Sequence, residues 1–376
     1  MLNKIKIYKS TSIFFLNLLF LTSCNTDSST PFLGNAFDSS GLKIISYGNN
    51  KGISGKSNAI GTTIATFIDQ QAYDYYMDNL EQQADAWDDA FVAQWNYLDD
   101  DTLNAKEEEL NFDSEKPLTD FENSIGLQSL RQKYLTEEDA WLNNDVLNYT
   151  TDPDLKPEYA FSNAEKTILN QFSEVQIGTT IYKQLDTHQI TSLNGVAKNS
   201  SSQKTSVANV VSGAYLKIAQ ADYTSLIKFN AGDVSVVGNG NVSIVNPSTS
   251  LDCKYGKSKR AWIDTAPGKK IRVLIKVPQP RWGANGKVKS KVKSYKKRGR
   301  RWKKYRTNIY AGLSGTVYDT RCDYTPHHIN VGKTKRKKKL VFKWHDYSFA
   351  SHVVLNGGMK GVYKQGNVTN ELALTW

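Results

Sequence analysis

The chain has 376 residues, 39% of them hydrophobic, 11% aromatic and 23% charged, with only 9 prolines, which excludes global disorder and a multi-span membrane protein. The length is enough for two or three domains whose cores do not depend on disulfides. The net charge of +11 is unevenly spread: residues 1–23 carry three Lys and no acid, residues 24–250 carry 14 bases and 31 acids (−17), and residues 251–376 carry 31 bases and 6 acids (+25).

Lys4, Lys6 and Lys9 precede an apolar run from Ile13 to Leu21 broken only by Asn17. That is the layout of a secretory signal peptide, and the run is too short to span a bilayer. It ends in Leu21-Thr22-Ser23-Cys24, which resembles the lipobox of bacterial lipoproteins. The resemblance implies a signal peptide at 1–23 and a mature N-terminus acylated at Cys24 with palmitate-type chains. At ~0.8 kcal/mol per buried methylene, more than one chain gives stable anchoring. The expected location is the outer membrane, anchored but not crossing it. The competing reading is an ordinary signal peptide with an accidental cysteine.

Once Cys24 is assigned to lipid, Cys253 and Cys322 remain. An oxidising compartment would let them pair, and a bridge closing about 70 residues contributes roughly 4 kcal/mol in the chain-entropy model. Two free thiols or a metal pair are the alternatives. A metal needs further ligands at short spacing, and the five histidines make no His-x-x-x-His pattern, so neither a metal nor any other cofactor is expected.

Residues 24–58 are rich in Ser, Asn, Gly and Thr without periodicity and read as a flexible tether. Residues 59–247 read as an acidic, mainly helical domain. Tyr73, Met77, Leu80, Ala84, Trp87, Phe91, Trp95 and Leu98 follow one another at steps of three or four, one face of a helix. Asp74, Asp78, Glu81, Asp85, Asp88 and Asp89 take the other face, read as solvated. A second helical stretch runs from about Thr119 to Asn144, with Thr136-Glu137-Glu138-Asp139 read as a capped start within it. Ser173 to Lys183 reads as a hairpin turning at Gly178-Thr179, residues 194–206 as a linker, Val207 to Phe229 as one or two short helices, and Val234 to Val245 as a hairpin.

Gly126-Leu127-Gln128-Ser129-Leu130, with Ile168-Leu169-Asn170 and Ile177 to Lys183 downstream, resembles the N-terminal region of uncharacterised lipoproteins of Bacteroidota. The resemblance implies a location and carries no catalytic residues.

Residues 248–376 read as a basic antiparallel β domain, a sandwich or barrel-like fold of about seven or eight strands, so the fold class is α+β. Ile271 to Val277 is a strand ended by Pro278. Lys287 to Ser294 alternates strictly, the mark of a half-buried strand. Lys296 to Arg301 forms a hairpin tip, and Trp302 to Val317 returns with Tyr305, Thr307, Ile309, Ala311 and Leu313 inward. Further strands are expected at Leu340 to His345, His352 to Leu355, around Val362-Tyr363, and at Leu372 to Trp376. The run Tyr295 to Thr307 also resembles a basic hairpin of the same lipoprotein group.

The outer face would then carry Lys287, Lys289, Lys291 and Lys293 beside Trp302, Lys304, Arg306 and Tyr310. Lysines two apart on a strand repel by roughly 0.6 kcal/mol in water, so a purely solvated face is tolerable. Yet 31 bases against 6 acids, with a second cluster at Lys333 to Lys339, exceeds what solubility needs. The expected partner is an anionic polymer: a glycan, lipopolysaccharide, or nucleic acid only as an extracellular polyanion. No His-Glu-x-x-His, Gly-x-Ser-x-Gly, phosphate loop or calcium loop is present, and His327-His328 makes no recognisable site. A binding module therefore ranks first, a structural lipoprotein with intramolecular charge pairing second, and an enzyme acting on envelope glycan last.

Overall fold

The computed structural model describes residues 41–47, 62–144, 151–186, 188–191, 193, 214–220, 242–245, 257–277, 288–319, 327–344, 352–353 and 358–374. The protein is mixed α+β. Cys24, Cys253, Cys322 and Lys287 lie outside the described residues, as do the expected linker at 194–206 and the boundary at 247/248. Ser39–Trp376 form one compact unit.

The first part combines helices with a sheet. Leu42–Tyr47 (β1), placed in the tether by sequence, pairs antiparallel with Thr62–Phe67 (β2). The helical reading from Ala59 is therefore corrected: α1 runs Gln70–Gln94, started by the Asp69 carboxylate accepting from the Ala72 amide. Asp100–Glu109 (α2), Lys116–Ile125 (α3) and Leu130–Asn144 (α4) follow. Gly126, at φ 62°, ends α3, so the expected second helix is two. Thr136 lies inside α4, its hydroxyl donating to the Gln132 carbonyl, and starts no new helix.

After two 3-10 turns at Pro153–Leu155 and Pro157–Tyr159, Asn163–Ile168 (α5) opens on a capping box of Ser162 and Glu165. Glu174–Ile177 (β3) and Thr180–Gln184 (β4) form the expected hairpin around Gly178 at φ 59°. Tyr215–Ala219 (β5) is a strand where helix was expected. With Val242–Val245 (β6) it completes a six-stranded sheet ordered β1-β2-β3-β4-β5-β6, parallel only between β2 and β3.

The basic part holds Lys257–Ala266 (β7), Lys269–Val277 (β8), Val288–Arg298 (β9), Arg301–Lys304 (β10), Thr307–Asp319 (β11), His327–Lys337 (β12), Lys339–Trp344 (β13), His352–Val353 (β14), Met359–Gln365 (β15) and Val368–Ala373 (β16). One five-stranded sheet is ordered β10-β9-β8-β7 with β13 also on β9; the other is ordered β12-β11-β15-β16 with β14 on β11. Their facing side chains, among them Val273, Ile275, Val292, Ile309, Ala311, Leu313, Met359 and Tyr363, make one core. No closed barrel forms among the described residues. The expected return strand is corrected at one point: it breaks at Tyr305-Arg306, where the chain leaves β10 in one sheet and enters β11 in the other. β7 and β12, including His327-His328, are strands the sequence reading did not assign.

Candidate functional site

Alternation along β9 sends Val288, Ser290 and Val292 into the sheet core, all 0% exposed, and Lys289, Lys291 and Lys293 to the opposite face. On that face Arg272 of β8 sits directly across from Lys293, a like-charge pairing that is unfavourable by itself. Acids of the helical part resolve it. Arg272 donates through Nη1 to Asp152 Oδ1 (3.0 Å) and through Nη2 to Glu138 Oε1 (3.2 Å) and to Asp154. Lys293 donates to the Tyr134 hydroxyl (2.5 Å) and to Glu138. Lys291 reaches Asp154 at 3.2 Å and Lys304 reaches Glu138 Oε2 at 2.8 Å.

Burial works against the ionised Glu138 and Asp154, but the cations around them prevail and hold both carboxyls well below their ordinary range. Burial, together with neighbouring cations, pulls the amines down, Lys293 to about 7 and Lys291 to about 8. Lys166 of α5, buried with its amine 3.5 Å from the Tyr134 ring centroid, is pulled down to about 7, first by burial.

A second cluster forms where the chain changes sheets. Arg306 is 0% exposed, which corrects its expected place on the outer face. Its guanidinium donates to Asp88 Oδ1 and Glu107 Oε1, each at 2.5 Å, and to the Arg336 carbonyl at 3.1 Å. Asn104 holds the backbone on both sides: its Nδ2 donates to the Arg306 carbonyl (2.8 Å) and its Oδ1 accepts from the Arg306 amide (2.8 Å).

The remaining pairs extend this pattern. Lys337 donates to Asp85 at 2.6 Å and lies 3.3 Å from Asp89, Lys335 pairs with Asp89 at 2.6 Å, and Arg336 pairs with Asp100 at 2.7 Å. Lys338 meets Glu107 at 3.0 Å and Lys339 meets Glu115 at 2.7 Å, while Lys343 meets Glu81. Of the acidic side of α1 read as solvated, Glu81, Asp85, Asp88 and Asp89 thus face the basic strands, while Asp74 and Asp78 are exposed as expected. One signal for this was present in the sequence: Glu81, Asp85 and Asp88 recur at steps of four and three, and Lys333, Lys335, Lys337 and Lys339 at steps of two.

The nominated aromatics are also used internally. Trp302 packs against the cluster of Trp141, Leu142 and Tyr295, with the Lys270 amine 5.2 Å from its ring. Tyr310 lies over Gly312 and Gly332, cross-strand partners where a methyl group would collide with the phenol. Lys289 lines a cavity of about 630 Å3 between the helices and β9, β12 and β13. The hairpin tip is different: Lys297, Arg300, Arg301 and Lys303 are exposed. Among the described residues no group of His, Cys, Asp and Glu is arranged to hold a metal, and no helix is long and apolar enough to cross a membrane.

No protein-family profile matches the chain and no curated protein matches it. A crystal structure of a DUF4848 family protein from Bacteroides thetaiotaomicron aligns over 83% of this chain and 97% of that one, at 11% identity and a TM-score of 0.18. A likeness that loose carries no argument about fold or function.

Proposed function

We propose that the protein is an exported, non-catalytic lipoprotein of the bacterial outer membrane, anchored through Cys24, whose folded body is a structural module: a basic β-sandwich held under its own acidic helices. The observation that carries this reading is that Lys291, Lys293, Lys304 and Arg306, the cations nominated for a partner, are engaged by Asp154, Glu138, Asp88 and Glu107 of the same chain. The anchor rests on the lipobox, and kinship with Bacteroidota lipoproteins on the resemblance carried by Gly126 to Leu130, Ile168 to Asn170 and Ile177 to Lys183 together with it. The cavity wall gives a reason to rank catalysis last. Glu81, Glu115, Glu138 and Asp154 are all held below the ordinary carboxyl range by their cations, against the opposing effect of burial. Glycoside cleavage needs one carboxyl that is still protonated.

A second reading, binding of an anionic glycan, lipopolysaccharide or extracellular DNA, is favoured by the exposed cations of the tip. Labelled palmitate should enter the wild type and not Cys24→Ser. On immobilised heparin at low salt the full chain should pass unretained. Retention that disappears when Lys297, Arg300, Arg301 and Lys303 are changed to Ser would put the second reading first.

A further inference from the structure

We propose that the cavity between the helices and the basic strands is a binding site for a small hydroxylated anion, an acidic sugar or a sugar phosphate. Its volume of about 630 Å3 falls within the ~300–1,000 Å3 of small-ligand pockets. Eleven cationic side chains line it against seven acidic ones, so its wall carries a surplus of positive charge. Most of the cations have acid partners, but Lys333, half-buried on β12 at the wall, pairs with no acid among the described residues. It is the natural seat for the ligand's anionic group. The ionised Glu115, whose side chain is 22% exposed, offers a fixed acceptor to a hydroxyl group, and the half-buried Phe112 and Phe342 offer ring surface to the carbon face of a sugar.

The amines add a signature. Burial, with the surrounding cations, holds Lys291 at about 8 and Lys293 at about 7. Both line the cavity, and an anion held inside it favours their charged forms, so binding at neutral pH is accompanied by proton uptake. A neutral ligand, or an anion held at the exposed tip, would not produce it.

The test is calorimetric titration of the full chain at pH 7.5 and low salt, in two buffers of different ionisation enthalpy, with glucuronic acid, glucose 6-phosphate, glucose and inorganic phosphate. One of the two sugar anions should bind with net proton uptake, and glucose and inorganic phosphate should be at least about tenfold weaker. Which anion binds separates a carboxylate ligand from a phosphate one. Lys333→Ser should weaken binding at least about tenfold, and Lys364→Ser, whose amine sits instead by the Tyr310 ring, should leave it unchanged. The proposal is overturned if neither sugar anion binds, if glucose or inorganic phosphate binds equally well, if no proton is taken up, or if Lys333→Ser binds like the wild type.

Discussion

Arg306 shows at the scale of one residue how burial sets the worth of a charge. Its guanidinium is fully enclosed between Asp88 and Glu107, so Arg306→Met takes the central cation from two buried carboxylates and leaves Asp88 only Lys337 at 3.6 Å and Glu107 only Lys338 at 3.0 Å, at a cost of about 3–5 kcal/mol. The Arg298–Glu108 pair is exposed on both sides, and Arg298→Ser should cost no more than about 1 kcal/mol. Urea midpoints of the two variants at equal m-value separate the cases. The buried amines add a pH dependence of definite sign. Lys166, Lys293 and Lys291, at about 7, 7 and 8, bind protons less readily folded than unfolded. The unfolded chain therefore holds more protons between pH 7 and their ordinary range, and stability rises with pH across that window. Lys304, Lys337 and Lys343 are raised instead, so their stabilisation is lost only in strong alkali. The urea midpoint should rise from pH 7 to pH 9, and Lys166→Met should flatten part of the rise. A midpoint that falls over this range in the wild type would contradict the assignment.

Elements were legible in the sequence where one periodicity met one environment. Of the α1 stripe, Tyr73, Met77, Leu80 and Phe91 are buried as its spacing requires while Trp87 is 40% exposed, and β9 alternates as read from Val288 to Val292 before becoming buried on both faces through Tyr295. The inward set Tyr305, Thr307, Ile309, Ala311 and Leu313 is buried too. What could not be read was the environment of the opposite faces. A run of Asp and Glu on a helix, or of Lys on a strand, has the same pattern whether it meets water or an opposite charge distant in the chain. Arg306 escaped for a second reason: it sits where the chain changes sheets, and alternation across that break assigns it the wrong side. Asn104 of α2 fixes the break from the far end of the sequence. Asn104→Ala should remove both of its backbone hydrogen bonds to Arg306, costing about 1–3 kcal/mol. Hydrogen exchange at the Arg306 amide should accelerate more than exchange in the β9 centre.

Across the whole molecule, the division of charge seen in the sequence, −17 before residue 251 and +25 after it, becomes contact between layers. Electrostatic complementarity of this kind specifies register and orientation more than it adds stability. Glu81, Asp85, Asp88 and Asp89 of α1, Asp100, Asp101, Glu107 and Glu108 of α2 and Glu138 of α4 have cations of the basic part opposite them, while the hydrophobic work is done by the two-sheet core and by the aromatic cluster around Trp141, Trp262 and Tyr295. The central claim is that most of the basic strand face is covered by the protein's own acidic helices. Lysine acetylation of the folded full chain, read residue by residue by mass spectrometry, tests it most directly. Lys293 and Lys337 of the strand face are 3% and 6% exposed, whereas Lys297 and Lys303 are exposed at the tip. The account predicts that the first two react at least about tenfold more slowly than the last two, as protection by folded structure requires. Equal reactivity of the two groups in the folded protein would contradict it.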